Sequence, residues 1–296
     1  MKLRFALKML ACAALLSCGA ARAAIACAGV STTSVSGIKV TGSTLDLTGN
    51  IAVTCTRLAT DPTSQVIYIS LDQGEPPNGR NMTRQNAADL MAYTVYRNSD
   101  FTGSWTTAAG RAPGTNPAGG LQVTVNFTSG ATTIQTFNYP YYFRVANTAA
   151  INAKPVGIYD DLSILATVKL TSNTGTVQGS SLFGTTVSKP SYCWLSTPPS
   201  AMTINYTAFS ASNQTGTSNF KASCTQNTTY TLSLDATSAV LLGLRYTLAL
   251  SNTGTITGTG FEQSHSVTGT IAAGQAGTCT TGSCTGMQAR TLTVTY

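Results

Sequence analysis

One stretch occurs twice, and that limits what the chain can fold into. GNIAVTCT at 49–56 and SNFKASCT at 218–225 share a layout: Asn, an apolar residue, small or β-branched residues, then Cys-Thr. Each copy is followed by a strand-like run ending Ser-Leu-Asp, at Ser70–Asp72 and Ser233–Asp235. Each is preceded at similar spacing by another cysteine, Cys27 and Cys193. A shared order of features at this scale means two copies of one domain, not a short repeat array. The length of 296 residues allows each copy its own core.

Alternation dominates within the copies. Leu45, Leu47, Ile51, Val53 and Cys55 share one parity, which predicts a strand with Cys55 turned into a core. Strands are expected at 66–71, 90–96, 121–127, 137–145 and 162–170 in the first copy. In the second they are expected at 230–234, 244–250, 265–271 and 291–296. Gly- and Pro-rich stretches separate them. Helical spacing is scarce, and only 9% of residues are charged. The expected fold class is all-β, two β-sandwiches.

The first residues read as an export signal. Lys2, Arg4 and Lys8 precede an apolar run from Phe5 to Leu16, and Ala21-Arg22-Ala23 offers a cleavage site. Leu15-Leu16-Ser17-Cys18 also resembles a lipidation signal, but the Ala-rich stretch after it supplies an ordinary site. The expected division is 1–23 signal, 24–188 first sandwich and 189–296 second. Removing the signal takes away four basic residues, so 17 become 13 against 10 acidic and the charge falls from +7 to +3. No clustered basic stripe supports nucleic-acid binding.

Six cysteines then remain in an exported chain, which favours disulfides. The repeat pairs Cys27 with Cys55 and Cys193 with Cys224, leaving Cys279 for Cys284. Metal binding has little support: there is no CxxC pair, and His265 is the one histidine. No cofactor is expected. An enzyme is not supported either. His265 has no marked acid or nucleophile partner and is expected on a polar strand face, and Asp160 and Asp161 should point to opposite faces.

Arg80, Leu90, Tyr93, Tyr96, Trp105 and Gly157-x-Tyr159-Asp160 before a closing strand together resemble the spore coat protein U domain. The second half, with SLDATSAVLLGLRYTLAL, GTIAAGQAG and RTLTVTY, resembles the C-terminal domain of two-domain members of that family. It departs from the pattern at Gly286-Met287-Gln288-Ala289, where Gly-x-Tyr-Asp is missing. The resemblance implies a subunit of Csu-type, or archaic, chaperone–usher pili. In such pili an incomplete immunoglobulin-like fold is finished by a neighbour's strand, and two-domain members are tip adhesins. The implied partners are a periplasmic chaperone, an outer-membrane usher, the next pilin subunit and an abiotic or host surface. The implied location is the cell surface and the implied outcome is attachment and biofilm formation.

The residues allow the same reading. Val177, Phe183 and Val187 share parity, so 176–188 is expected to complete the first sandwich from within. The second sandwich reaches Leu292, Val294 and Tyr296 with no strand after them, and these three are the expected acceptor edge for a donor strand or chaperone. Almost no residues precede Cys27 after cleavage, so no strand is expected to be donated. The loops 57–64, 97–120 and 171–176 are expected at the end of the first sandwich far from the second. Leu58, Phe101 and Trp105 would be their apolar contacts. The alternative is a secreted carbohydrate-binding sandwich using Trp105 or tyrosines for stacking, or a minor structural subunit of a pilus or coat.

Overall fold

The computed structural model describes residues 25–74, 80–105, 120–128, 130–171, 175–279 and 283–296. The segment read as an export signal lies outside the described residues. The first half contains β1 (Ala26–Thr32), β2 (Val35–Ile38), β3 (Leu45–Arg57), β4 (Ser64–Leu71), β5 (Asn81–Arg84) and β6 (Leu90–Ala92). It continues with β7 (Thr94–Tyr96), β8 (Leu121–Asn126), β9 (Thr133–Val145), a one-turn helix α1 (Ala149–Asn152), β10 (Gly157–Leu170) and β11 (Val177–Lys189). One sheet has the order β1-β3-β9-β7. The facing sheet has the order β2-β11-β10-β4-β8, with β5 on β10 and β6 on β5.

Period-two patterning builds this sandwich. In β3, Gly49, Ile51, Val53, Cys55 and Arg57 are buried while their neighbours are not. The inward rows of both sheets meet in one cluster that includes Ile67, Ile69, Tyr141, Phe143, Tyr159, Ile164, Val168, Phe183 and Val187. The stretch expected as one strand at 90–96 is two. Its first part, β6, pairs with β5 and its second, β7, pairs with β9, so the chain changes sheets at Tyr93. Tyr93 is buried there and its hydroxyl donates to Asp161 at 2.7 Å. Burial disfavours the charged form of Arg80 beside it, opposed by Tyr93 and Asp72.

The second half contains β12 (Cys193–Thr197), β13 (Gln214–Cys224), β14 (Thr229–Leu234), β15 (Ser238–Leu241), β16 (Leu244–Leu250), β17 (Ile256–Thr257), β18 (Glu262–Ile271) and β19 (Leu292–Thr295). Its sheets run β12-β13-β18-β16-β15 and β17-β14-β19. A second cluster fills the space between them, with Phe220, Ala222, Tyr230, Leu232, Leu248 and Val267. The chain is therefore all-β, in two immunoglobulin-like sandwiches. Disulfides join Cys27 to Cys55, Cys193 to Cys224 and Cys279 to Cys284. The first two tie the opening strand of each sandwich to the next, β1 to β3 and β12 to β13. Each such bridge stabilises by about 2–4 kcal/mol.

Only Pro190 to Tyr192 separate β11 from β12. The joint around them is bonded. Val156 donates its amide to the Gln226 carbonyl at 3.1 Å, and the Thr41 and Thr225 hydroxyls meet at 3.0 Å. Gly260 lies against the backbone of Ala153, where a Cβ would meet Cα at 2.7 Å. Lys189, at the end of β11, donates to the carbonyls of Ile151 at 3.1 Å and Asn152 at 2.8 Å. Burial lowers its pKa to about 8, with the like charges of Lys39 and Lys154 adding to the effect.

Candidate functional site: the open edge of the C-terminal sandwich

The two sandwiches superimpose strand by strand through their registers. Leu71 pairs with Ala166 across β4 and β10, and Leu234 pairs with Leu292 across β14 and β19. Ile67 pairs with Val123, and Tyr230 with Ile256. Thus β19 stands where β10 stands, β14 where β4 stands and β17 where β8 stands. In the N-terminal sandwich the far edge of β10 is taken by β11, from Gly157–Lys189 to Lys169–Val177. Among the described residues, no strand takes that place beside β19.

The vacant edge carries hydrogen-bonding groups. Asp235 donates its amide to the Thr291 carbonyl at 3.0 Å, which sets the alternation along β19. Thr291, Thr293 and Thr295 turn their backbone groups to β14, and Leu292 and Val294 turn theirs outward. The side chains on this edge are also undercovered. Ala166 and Val168 are 0% exposed beneath β11. Their counterparts Leu292 and Val294 are only half-buried, and Tyr296 is 55% exposed.

The opposite margin of this groove was not foreseen from the sequence. Residues 200–206 belong to no sheet. Met202, Ile204 and Tyr206 alternate with exposed neighbours, and that alternation is the signal that would have revealed them. They lie over two inward glycines, Gly216 of β13 and its partner Gly269 of β18. A Cβ at Gly216 would meet Ile204 and Met202 at 3.0 Å, and one at Gly269 would meet Met202 at 2.8 Å. In the N-terminal sandwich the same positions hold Leu47 paired with Phe143, and the small residue is on the covering strand. There Gly37 of β2 lies over Leu47, where a Cβ would come within 3.1 Å. The exchange of bulk places 200–206 where β2 lies. Strand β2 pairs in parallel with β11 and with no other strand. Among the described residues, its counterpart has no such strand to join.

His265 lies in the core below. The expectation of a polar strand face is corrected: the ring is 4% exposed and points inward beside Phe220, with centroids 5.4 Å apart. Residues 263 to 271 alternate inward on odd numbers, which puts His265 inside with Val267 and Ile271. Asn252 approaches Nδ1 at 3.3 Å, and Nε2 is 2.8 Å from the Tyr230 hydroxyl. That hydroxyl donates to Gln263 at 3.3 Å, so the consistent assignment is a neutral imidazole with its proton on Nε2. The chain of bonds links β18 of one sheet to β14 of the other. Burial lowers the His265 pKa.

The three residues expected to form an apolar contact site are not brought together. Leu58 is 46% exposed at the pole far from the joint. Its loop is held by Arg57, which donates to Pro62 at 2.8 Å and Ala131 at 3.0 Å, and by Asp61, which accepts the Leu58 amide at 2.7 Å. Trp105 is 3% exposed, with its amide bonded to Val95, and is a core residue. Phe101 folds back onto the sheet: the Arg144 guanidinium lies 3.6 Å over its ring, and Tyr96 and Tyr142 meet its edge. Cation–π and aromatic contacts, which sequence spacing does not reveal, hold Phe101 against β7 and β9. Residues 106–119 and 172–174 of the expected loops lie outside the described residues. Ala131, between β8 and β9, borders the Leu58 loop instead.

The model of the spore coat protein U domain family matches residues 14–167, more than half of the chain. The chain belongs to the spore coat protein U domain family. The match runs from before β1 to within β10, so the N-terminal sandwich is the family domain, and the C-terminal sandwich shares its register. No curated protein matches the chain. Among solved structures, the chain aligns with the CsuC–CsuE chaperone–tip adhesion subunit pre-assembly complex from archaic chaperone–usher Csu pili of Acinetobacter baumannii. The identity is 11% and the TM-score 0.41, covering 92% of this chain and 99% of that chain.

The His265 bonds generate a prediction for the core of the C-terminal sandwich. A buried neutral histidine with a lowered pKa leaves stability unaffected well above pH 6.5. As the pH falls below that value, the unfolded chain protonates first and stability is lost. The thermal midpoint is expected to fall between pH 7 and pH 5, and His265→Gln is expected to flatten that slope. An equal slope in the variant would contradict the assignment.

Proposed function

We propose that this protein is an exported subunit of a chaperone–usher pilus, whose C-terminal sandwich accepts one extended strand from another polypeptide. The observation that carries this is the vacant place beside β19, which β11 fills in the N-terminal sandwich. An incoming strand would run antiparallel to β19, bonding Leu292 and Val294, and parallel to residues 200–206, as β11 runs between β10 and β2. Leu292, Val294 and Tyr296 form one margin, Met202 and Ile204 the other. A periplasmic chaperone supplies the strand before assembly, and the next pilin subunit replaces it at the usher. The division of the chain into 24–188 and 189–296 is part of this reading, and it is supported by β11, Val177–Lys189, lying along β10 of the first unit.

The N-terminal sandwich is self-complete and makes the contact with a surface, as a tip adhesin. Its pole far from the joint presents Leu58 on a loop fixed by Arg57 and Asp61. A rigid, exposed aliphatic residue suits contact with an apolar surface. Burial of Trp105 removes the ring that a sugar-stacking site would use. The protein has no catalytic role in this reading.

The acceptor role is tested by appending an extended segment of alternating apolar and polar residues after Tyr296, through an Asn-Gly turn. The thermal midpoint is expected to rise by roughly 10 °C, as gains of a few kcal/mol produce in a domain of this size. A segment of the same composition without alternation is expected to give no rise. An unchanged midpoint in both would remove the acceptor role. The adhesin role is tested separately. Leu58→Asp is expected to lower attachment to hydrophobic beads several-fold with an unchanged thermal midpoint, and undiminished attachment would exclude this loop.

A further inference from the structure

Arg290 occupies a position in the groove that is apolar in the N-terminal sandwich. The register of Leu292 with Leu234 answers that of Ala166 with Leu71, so Arg290 stands for Ile164. The backbone bonds agree: Asp235 bonds Thr291 as Asp72 bonds Leu165. Ile164 is 0% exposed and pairs with Phe183 of β11, whose ring lies 5.1 Å from that of Tyr141. That row is apolar on both strands.

At the same row of the C-terminal sandwich stands a cation. Arg290 reaches across to β16, where Nε and Nη2 donate to the Tyr246 hydroxyl at 2.9 and 2.8 Å. The Tyr246 hydroxyl donates to Gln288 Oε1 at 2.7 Å. Among the described residues, the carboxylate paired with the guanidinium is Asp235, 3.9 Å from Nη1, beyond hydrogen-bond length. The Arg290 side chain remains 21% exposed. A guanidinium has five donors in a fork that fits a carboxylate in two-point fashion, and two of them here share one neutral oxygen. A strand laid beside Leu292 places one inward side chain at the Arg290 row, as β11 places Phe183. An apolar side chain there would remove water from an incompletely neutralised cation, which is costly. A carboxylate would complete it.

Given the acceptor role proposed above, we propose that the strand this groove takes carries an acidic side chain facing Arg290. The residue thereby selects among incoming strands that share the same apolar alternation.

The test uses the full chain with the strand appended after Tyr296, in versions differing only at the residue facing Arg290. Glutamate is expected to give a thermal midpoint about 5 °C above phenylalanine or glutamine, a difference that shrinks in high salt. Arg290→Met is expected to abolish the advantage of glutamate. If glutamate does no better than phenylalanine or glutamine, or keeps its advantage in Arg290→Met, the proposal is overturned while the acceptor role stands. Absence of any rise from all versions would overturn both. Comparison of the appended strands on the native sequence decides the matter even if Arg290→Met fails to fold.

Discussion

A strand edge with unpaired backbone groups and half-covered side chains is unstable in water, and this chain meets that constraint in two ways. In the N-terminal sandwich β11 closes the edge of β10, and β2 can then pair with β11. In the C-terminal sandwich the corresponding edge is β19, and among the described residues no strand lies between that edge and segment 200–206. Burial follows the same division. Positions that are wholly buried beside β11 are half-buried beside the groove. In the proposed reading, one extended strand beside β19 would supply both backbone partners and core closure.

The open sandwich is not simply a truncated copy of the closed one. Gly216 and Gly269 make room for Met202 and Ile204, so side chains of 200–206 occupy the core where Leu47 and Phe143 lie in the first unit. The His265–Tyr230 bond holds the two sheets together. Arg290 and Tyr246 close the end of the groove away from the joint. These contacts tie the two sheets of the C-terminal sandwich together. The joint, by contrast, is short and bonded on both sides through Gln226 and Thr225.

Much of this was legible in the residues. The doubled Cys-Thr stretch marked two equivalent units, and alternation placed Ile51, Val53 and Cys55 inward. The parity of Val177, Phe183 and Val187 marked a strand that the structure places at Val177–Lys189. What was not legible depended on contacts between distant segments. Phe101 is drawn back by Arg144, more than forty positions away in sequence. Arg290 is defined by Tyr246 on the opposite sheet, and an inward arginine breaks the apolar parity by which strands are read. The role of 200–206 becomes visible only when Gly216 and Gly269 are seen beneath it. His265 was misplaced because a lone polar residue on an alternating strand suggests the solvent face, whereas Tyr230 and Asn252 satisfy it inside.

Residue-resolved amide hydrogen exchange along β19 tests the central claim most directly. In the unassembled protein the amides of Thr293 and Thr295, bonded to β14, are expected to exchange slowly, and those of Leu292 and Val294 quickly. Binding of a donor strand is expected to protect Leu292 and Val294 as well. Slow exchange at Leu292 and Val294 before any strand is added would contradict an open edge, as would fast exchange that persists after a strand has bound.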